Sequence, residues 1–387
     1  MAVNYAIYQI VLYDDEGTRL AILDDYRSLS YQNKINDGGF FNLFMNYNDP
    51  KRELFVVDSI IEVRRKIPGR VDWYTDFVGH CEDFNVKLFS NANYQFNVVG
   101  TGQNGLLNRR IIAYDETTTK SAKNDASETV MKEYVKENIG SDATIANGRF
   151  ADGRILSDAT NLFSVEADGG NGINWQGDRS GKNLLEVLNE IARYSEIDFD
   201  VETNGTVGNY IFKTFVDQLG EDRTTTGLDS STGLNAAGNA PHIFSPGRGN
   251  VQESSLSTRH RKEANRVYAY GKGAGTTRSI EYQENATAQS ESVLNLREVM
   301  RGAGSQDSVA QLNDLADEWL EKLKTVEKFD FEPLDIPSSL YGVNYNFGDK
   351  VTVKIGDTEA NKRIVAVQIN LAGGQGESQK RLTFEDI

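Results

Sequence analysis

The run SIIEVRRK at 59–66, followed by TDFVGHCEDFNVKLF at 75–89 and YQFNVVG at 94–100, decides the fold class. Each segment mixes apolar and polar positions and is rich in β-branched and aromatic side chains. A turn separates it from the next, so the three read as an antiparallel meander. Working toward the N-terminus, YAIYQIVLYD (5–14), RLAILDDY (19–26), SLSYQNKI (28–35) and GFFNLFMNY (39–47) have the same character, punctuated by DDEG, INDGG and NDP. About seven strands are therefore expected by Gly100.

The far end of the chain echoes this stretch. Asp349 precedes VTVKI as Asp58 precedes IIEVRRK, RIVAV answers FVGH, and KRLTFED answers YQFNVVG. Val78 to Phe96 spans 18 positions, as does Ile364 to Leu382, whereas the preceding hairpin differs (20 from Asp58 to Val78, 15 from Asp349 to Ile364). A length change inside a turn costs little. The echo predicts two similar β-barrels in one chain, six in an assembly of three.

Between these ends the periodicity changes. ETVMKEYVKENIG (128–140) sets Val130, Met131, Tyr134 and Val135 at helical spacing, and GKNLLEVLNEIARYSEIDFDV (181–201) carries Leu184, Leu185, Leu188, Ile191 and Ala192 in one stripe. The Gly-, Asn- and Asp-rich residues between them read as loop with short strands. FDVETNGTVGNYIFKTF (199–215) reads as a hairpin by its NG turn, and DSVAQLNDLADEWLEKLKTV predicts a helix near 307–325. The polar, low-complexity stretch GEDRTTTGLDSSTGLNAAGNAPH (220–242) reads as a linker or mobile loop. The fold class is mainly β with an α+β insert.

Composition excludes several functions. The single Cys81 forms no internal disulfide, and with three histidines no Cys/His set can hold a structural zinc. No apolar run approaches the roughly 20 residues of a membrane helix, and MAVNYAIYQIVLYDDEG lacks the pattern of a secretory signal, so a soluble protein made in a cytoplasm is expected. A net charge of -16 opposes binding to the DNA backbone, which depends on Lys and Arg neutralising phosphates. GTGQNG (100–105) matches a dinucleotide turn in outline but follows a meander, and GKGAGTTR (271–278) lacks the order of a phosphate loop, so both read as glycine-rich turns. His80, His242 and His260 stand in no triad spacing, HExxH is absent, and 57 carboxylates are too many for any pair to be informative. No catalytic, cofactor-binding or metal-binding residue is expected.

The sequence resembles the baseplate hub, or tail-associated, proteins of siphophages, which are similar in fold to the trimeric hub of contractile tails and injection systems. The residues that carry the resemblance are LSYQNKINDGGFFNLFM (29–45), IIEVRRK, FVGHCEDF and GQNGLLNRRI (102–111). They continue with NLLEVLNEIARYSEIDFDV, GNVQESSLSTRHRKEANRVYAYGKG (249–273) and the closing NYNFGDKVTV, RIVAVQINL and RLTFED. The order of these segments is what matches.

The resemblance implies two tube-like antiparallel β-barrels per chain plus a middle domain. The first barrel covers 1–105 and the inserted α/β domain 106–250, with room for some of its strands to return to the first barrel. The second barrel covers 251–387. It also implies a structural, non-enzymatic homotrimer at the tail tip of a virion, a pseudo-six-fold ring joining a six-fold tail tube to three-fold tip or fibre components. A distal tail or tube protein above, a tip or fibre protein below and a tape-measure protein are the implied partners, with no specific nucleic-acid binding and no membrane insertion. With the charge tripled, an acidic lumen wall is expected to let DNA pass. The chain ends after KRLTFED, so wall-degrading activity is expected from another protein. Exposed loops on rigid barrels suggest partner contacts at Pro68, Gly69 and Arg70, and at Glu221, Asp222 and Arg223 in the loop 221–239. The competing reading is a carbohydrate- or cell-wall-acting β-sandwich, a binding module or a hydrolase.

Overall fold

In the computed structural model of the chain, residues 6–67, 71–89, 93–115, 117–151, 154–156, 163–303, 308–356, 358–373 and 376–387 are described. The N-terminal meander forms all seven expected strands: β1 (Ile7–Tyr13), β2 (Arg19–Leu23), β3 (Tyr26–Lys34), β4 (Phe40–Asn46), β5 (Ile60–Lys66), β6 (Tyr74–Phe89) and β7 (Asn93–Gly102). Then come α1 (Gly105–Asn108), β8 (Ala122–Ala126), α2 (Ser127–Asn138), β9 (Phe163–Val165), β10 (Asn174–Asp178), α3 (Leu184–Ser195), β11 (Asp198–Thr203), β12 (Tyr210–Phe215), β13 (Asp222–Arg223) and β14 (Ile243–Phe244). The last third holds β15 (Val251–Arg259), β16 (Arg266–Tyr270), β17 (Ile280–Glu284), α4 (Ala286–Ser290), β18 (Glu298–Gly302), α5 (Val309–Lys322), β19 (Val326–Pro333), β20 (Lys350–Ile355), β21 (Thr358–Ala372) and β22 (Gly376–Asp386).

One sheet spans both ends of the chain in the order β15-β19-β22-β21-β3-β4-β7-β6-β5-β1-β2. β20 lies on β21, and β13 and β14 run parallel to β20. Alternation along the strands turns Leu29, Tyr31, Phe41, Leu43, Ile369 and Leu371 to one face, where they join Phe244, Phe331 and Phe384 in a single buried cluster. The Arg65 guanidinium, buried on β5, lies 4.2 Å over the ring of Tyr341 and further ties the two ends together. Two barrels were expected, but the pairings among the described residues close none, and the two ends share one core. The physical reason lies in β21. Its 15 residues pair β20 with 358–363 and β3 with 366–372 along the same edge. A period of two shows that a residue faces a core, but not which segment supplies the opposite wall.

The middle of the chain builds a second core. α2 and α3 pack with Trp175 over Phe199, Val201 and Phe212 of the β11–β12 hairpin. α3 starts cleanly because the Asn183 side chain accepts from the Glu186 amide. A third, smaller core lies within the segment expected as the second barrel. There β16, β17 and β18 form their own sheet under α5, with Val267, Ala269, Leu312 and Ala316 between them. Glu318 of α5 joins this piece to the middle core, accepting from Trp175 Nε1 at 2.9 Å and pairing with Arg179 at 2.6 Å.

The polar stretch 220–242, read as a linker or mobile loop, is pinned to the sheet. The Asn235 amide donates to the carbonyls of Asp222 (2.8 Å) and Thr224 (3.0 Å), and the Thr225 amide donates to Thr352 Oγ1 at 2.9 Å. Composition correctly denied this segment an apolar core of its own, but Asn235 satisfies carbonyls within the segment while the carbonyls of Glu221 and His242 accept from the Lys350 and Thr352 amides of β20. Residues 105–108, leaving the glycine-rich turn, form the single helical turn α1.

Candidate assembly surface

Hydrogen bonding reveals a duplicated five-stranded unit. Strands β3-β4-β7-β6-β5 and strands β15-β19-β22-β21-β20 are joined in the same order. The same irregularities recur at matching places. Between β3 and β4 the ladder slips after Tyr26, and between β15 and β19 it slips after Val251. Between β6 and β7 it slips after Cys81, and between β21 and β22 after Ile364. At the entry to β5, the Asp58 amide donates to Cys81 O (2.9 Å) and the Cys81 amide to Ser59 O (2.8 Å). At the entry to β20, the Gly348 amide donates to Ile364 O (3.1 Å) and the Ile364 amide to Asp349 O (3.0 Å). Both entry residues adopt left-handed backbone, Asp58 at φ 66° and Gly348 at φ 89°. Bulges are specific geometric devices, so their recurrence is strong support for a true repeat.

The echo in the sequence is thus real in topology but lies in a different register. Counting spacings matched Val78 with Ile364, whereas the hydrogen bonds match Cys81 with Ile364. The bulges recur in both units and so do not cause the offset; the β5–β6 hairpin is longer than the β20–β21 hairpin, and the apolar pattern alone does not fix where its extra residues fall.

The two units meet inside the chain where β3 pairs with 366–372 of β21. The same two surfaces exist a second time, as 83–89 of β6 and as β15. Among the described strands, the 83–89 segment pairs only with β7 and β15 only with β19. Burial records the difference. Ile369 and Leu371 are 0% and 1% exposed beneath β3, while their counterparts Val86 and Leu88 are 53% and 60% exposed. Sequence reasoning missed this edge, although a signal was present: the alternation Phe84, Val86, Leu88 continues well past the last residue of β6 that pairs with β5.

The face of the sheet opposite the core is lined by Ser30, Gln32, Asn42, Asn97, Gln368 and Asn370. Asn97 donates to Asn42, Gln368 Nε2 to Ser30 Oγ (3.2 Å), Asn370 Nδ2 to Gln379 Oε1 (3.1 Å), and Gln379 Nε2 to Glu332 Oε2 (2.9 Å). These rungs cross four strand boundaries, and Lys34, Asp83, Lys87 and Arg381 share the face by register.

Of the contact residues suggested by the sequence, Pro68, Gly69 and Arg70 lie outside the described residues. Glu221, Asp222 and Arg223 sit on the margin of the large sheet. Asp222 and Arg223 pair with Lys350 and Val351, and the Arg223 guanidinium reaches Asp349 at 3.0 Å and Glu221 at 2.6 Å. Burial pushes the Asp349 carboxyl above its ordinary range. The tip of this loop presents Leu228 and Leu234, both exposed.

The middle core grips both repeats at equivalent positions. On β21, Arg363 pairs with Asp198, and both are buried. On β6, the matching residue is His80, whose ring lies 5.6 Å from that of Tyr210. Burial, helped by Arg109, lowers His80 to about 4, so it is neutral at physiological pH. Nearby, Asp200 is pushed up to about 7 by burial and by the charge of Glu202, while accepting from Asn104 Nδ2 at 2.8 Å. A carboxyl whose folded pKa exceeds its ordinary 3.8 favours the folded state most at low pH, and that advantage is lost as pH rises from about 4 to about 7. Asp200→Asn keeps the acceptor oxygen without the charge. It is expected to raise stability at pH 8 by about 2 kcal/mol after allowing for solvent contact, and to have little effect at pH 4. Thermal melts of both proteins across that range check this.

Comparison with solved structures places the fold. The chain is similar to the 43 kDa tail protein of prophage MuSo2 from Shewanella oneidensis (13% identity, TM-score 0.54, 98% of each chain covered). It is similar to a tail protein from Neisseria meningitidis MC58 (14%, TM-score 0.55, covering 98% of this chain and 96% of that one). Prophage tail protein gp18 from Listeria monocytogenes EGD-e is a third neighbour (10%, TM-score 0.51, 98% and 94%). No curated protein sequence matches. The fold is that of phage and prophage tail proteins. The chain belongs to the family described as Siphovirus ReqiPepy6 Gp37-like protein, whose model matches residues 9–384.

Proposed function

We propose that this protein is the structural hub of a tail tip, acting without enzymatic activity as a homotrimer whose six five-stranded units form a pseudo-six-fold ring. The observation that carries the reading is the unit-to-unit junction. Within one chain, β3 of the first unit sits on β21 of the second, a head-to-tail contact between two like units. Head-to-tail contacts leave one surface of each kind open at the two ends and propagate until rotation closes a ring. Uncovered strand edges invite association, and a neighbouring copy would cover both.

In this reading each chain contributes two tube-like walls, drawn from 1–105 and 251–387, with most of 106–250 attached outside them and its strands β13 and β14 returning to the second wall beside β20. The ring joins a six-fold tube protein to three-fold tip or fibre components, in contact with a tape-measure protein. Loop 221–239, through its exposed tip, and residues 68–70 are the proposed contacts with those neighbours. The amide and hydroxyl face lines the passage for DNA. An acidic lumen was expected from the net charge; on this face the amides and hydroxyls stand among charges of both signs, Asp83 and Glu332 beside Lys34 and Arg381, so it offers phosphates no concentrated positive surface to hold them. DNA slides along such a wall without being trapped.

The test is copy number. Sedimentation of the purified chain is expected to give three times 43.1 kDa, and quantification in assembled tails three copies per tip. Any other number per tip overturns the proposal.

A further inference from the structure

We propose that the trimer is sealed by antiparallel pairing of β15 from one copy with residues 83–89 of β6 from the next, in a register set by the junction already present inside each chain. The inference rests on the hub reading and specifies its contact.

The register follows by transfer. In the internal junction, Ala366 faces Lys34, Ile369 faces Tyr31 and Ala372 faces Ser28. The matching bulges and ladders equate Ala366 with Asp83 and Lys34 with Arg259. Transferred, Asp83 of one copy faces Arg259 of the next, Phe84 faces Thr258, and Val86 faces Leu256.

Chemistry agrees with this placement independently of geometry. Asp83, Lys87, Glu253 and Arg259 are all exposed in the single chain. In the transferred register Asp83 meets Arg259 directly, and Lys87 is diagonal to Glu253, so both ion pairs have complementary sign. The internal junction has no ion pair at the corresponding place, where Ala366 faces Lys34. Val86 and Leu88 would pass from half exposed to covered, as Ile369 and Leu371 are. A register displaced by two residues would instead set Asp83 against Ser257 and leave Arg259 unmatched.

Cysteine pairs read the register directly. Adjacent cross-strand positions alternate between hydrogen-bonded and non-hydrogen-bonded pairs, and the closer, non-hydrogen-bonded kind suits a disulfide better. The full-length chain is therefore made with Asp83→Cys and Arg259→Cys, and separately with Val86→Cys and Leu256→Cys, which samples both kinds. Lys87→Cys with Arg259→Cys, four residues out of register, is the control. Mild oxidation is expected to link copies covalently in at least one of the two matched variants and not in the control. Independently, Asp83→Arg is expected to shift the trimer toward monomer by about fivefold in apparent dissociation constant, and adding Arg259→Asp to restore it. A trimer that links only in the control, or in none of the variants, and ignores the charge swap overturns this junction while leaving the hub reading intact. A wild-type chain that forms no trimer in solution or in tails overturns both.

Discussion

Arg363→Ala is expected to destabilise the protein by about 3–5 kcal/mol, seen as a large fall in the midpoint of urea unfolding. Arg363 and Asp198 are both buried, one on the large sheet and the other at the start of β11. Asp198 is further held by the Leu219 amide (2.7 Å) and by Asn36 Nδ2 (2.9 Å), so the carboxylate stays in place when its cation is removed. What remains is a buried charge with neutral donors only, beside Glu385, which Arg363 also approaches at 3.5 Å. Arg363→Lys retains the charge but loses the planar fork, and is expected to cost less than half as much. A midpoint unchanged by Arg363→Ala would show that the middle core is not fastened to the sheet at this point.

Phe244→Ala is expected to be of similar size, about 3–5 kcal/mol, because it empties the centre of the shared core. The ring of Phe244 is fully buried, with its centroid 4.6 Å from that of Phe331, 4.9 Å from Tyr345 and 6.1 Å from Phe384. Phe331 and Phe384 are held in the ladders of β19 and β22 and cannot follow the missing ring without leaving them. Phe244→Leu, which keeps most of the volume, is expected to lose about 1–2 kcal/mol. Thermal unfolding of both variants distinguishes a packing role from a local one. A shift confined to proteolysis near 240–250, with the global transition unmoved, would contradict the central position assigned to this ring.

Phe244 also illustrates what the sequence could not disclose. Strands β1 to β7 were legible because alternation runs through seven or more residues in most of them, and α2, α3 and α5 because their apolar residues recur at helical spacing. β13 and β14 have two residues each. No period can be read from two residues, and both are held by pairing with β20, which is more than 100 positions away. The strand edge at 83–89 was hidden for a different reason. The residues of β6 look the same in sequence whether their partner comes from the same chain or from another, and only the exposure of Val86 and Leu88 separates the two cases. The repeat lay between these extremes, visible as an echo but displaced in register because the β5–β6 and β20–β21 hairpins differ in length.

His80 and Arg363 occupy the same position in the two units, yet one is a neutral ring packed against Tyr210 and the other a cation locked to Asp198. Two such different attachments cannot coexist in copies of a single-unit polypeptide, because every copy would carry the same residue. Fusing the units in one chain frees each site to diverge while the peptide bond guarantees equal numbers of the two kinds and strict alternation between them. In the proposed ring, the joined chain would keep like units on the inner sheet while carrying an outer layer with half as many repeats, so that the change of symmetry would be encoded in covalent connectivity.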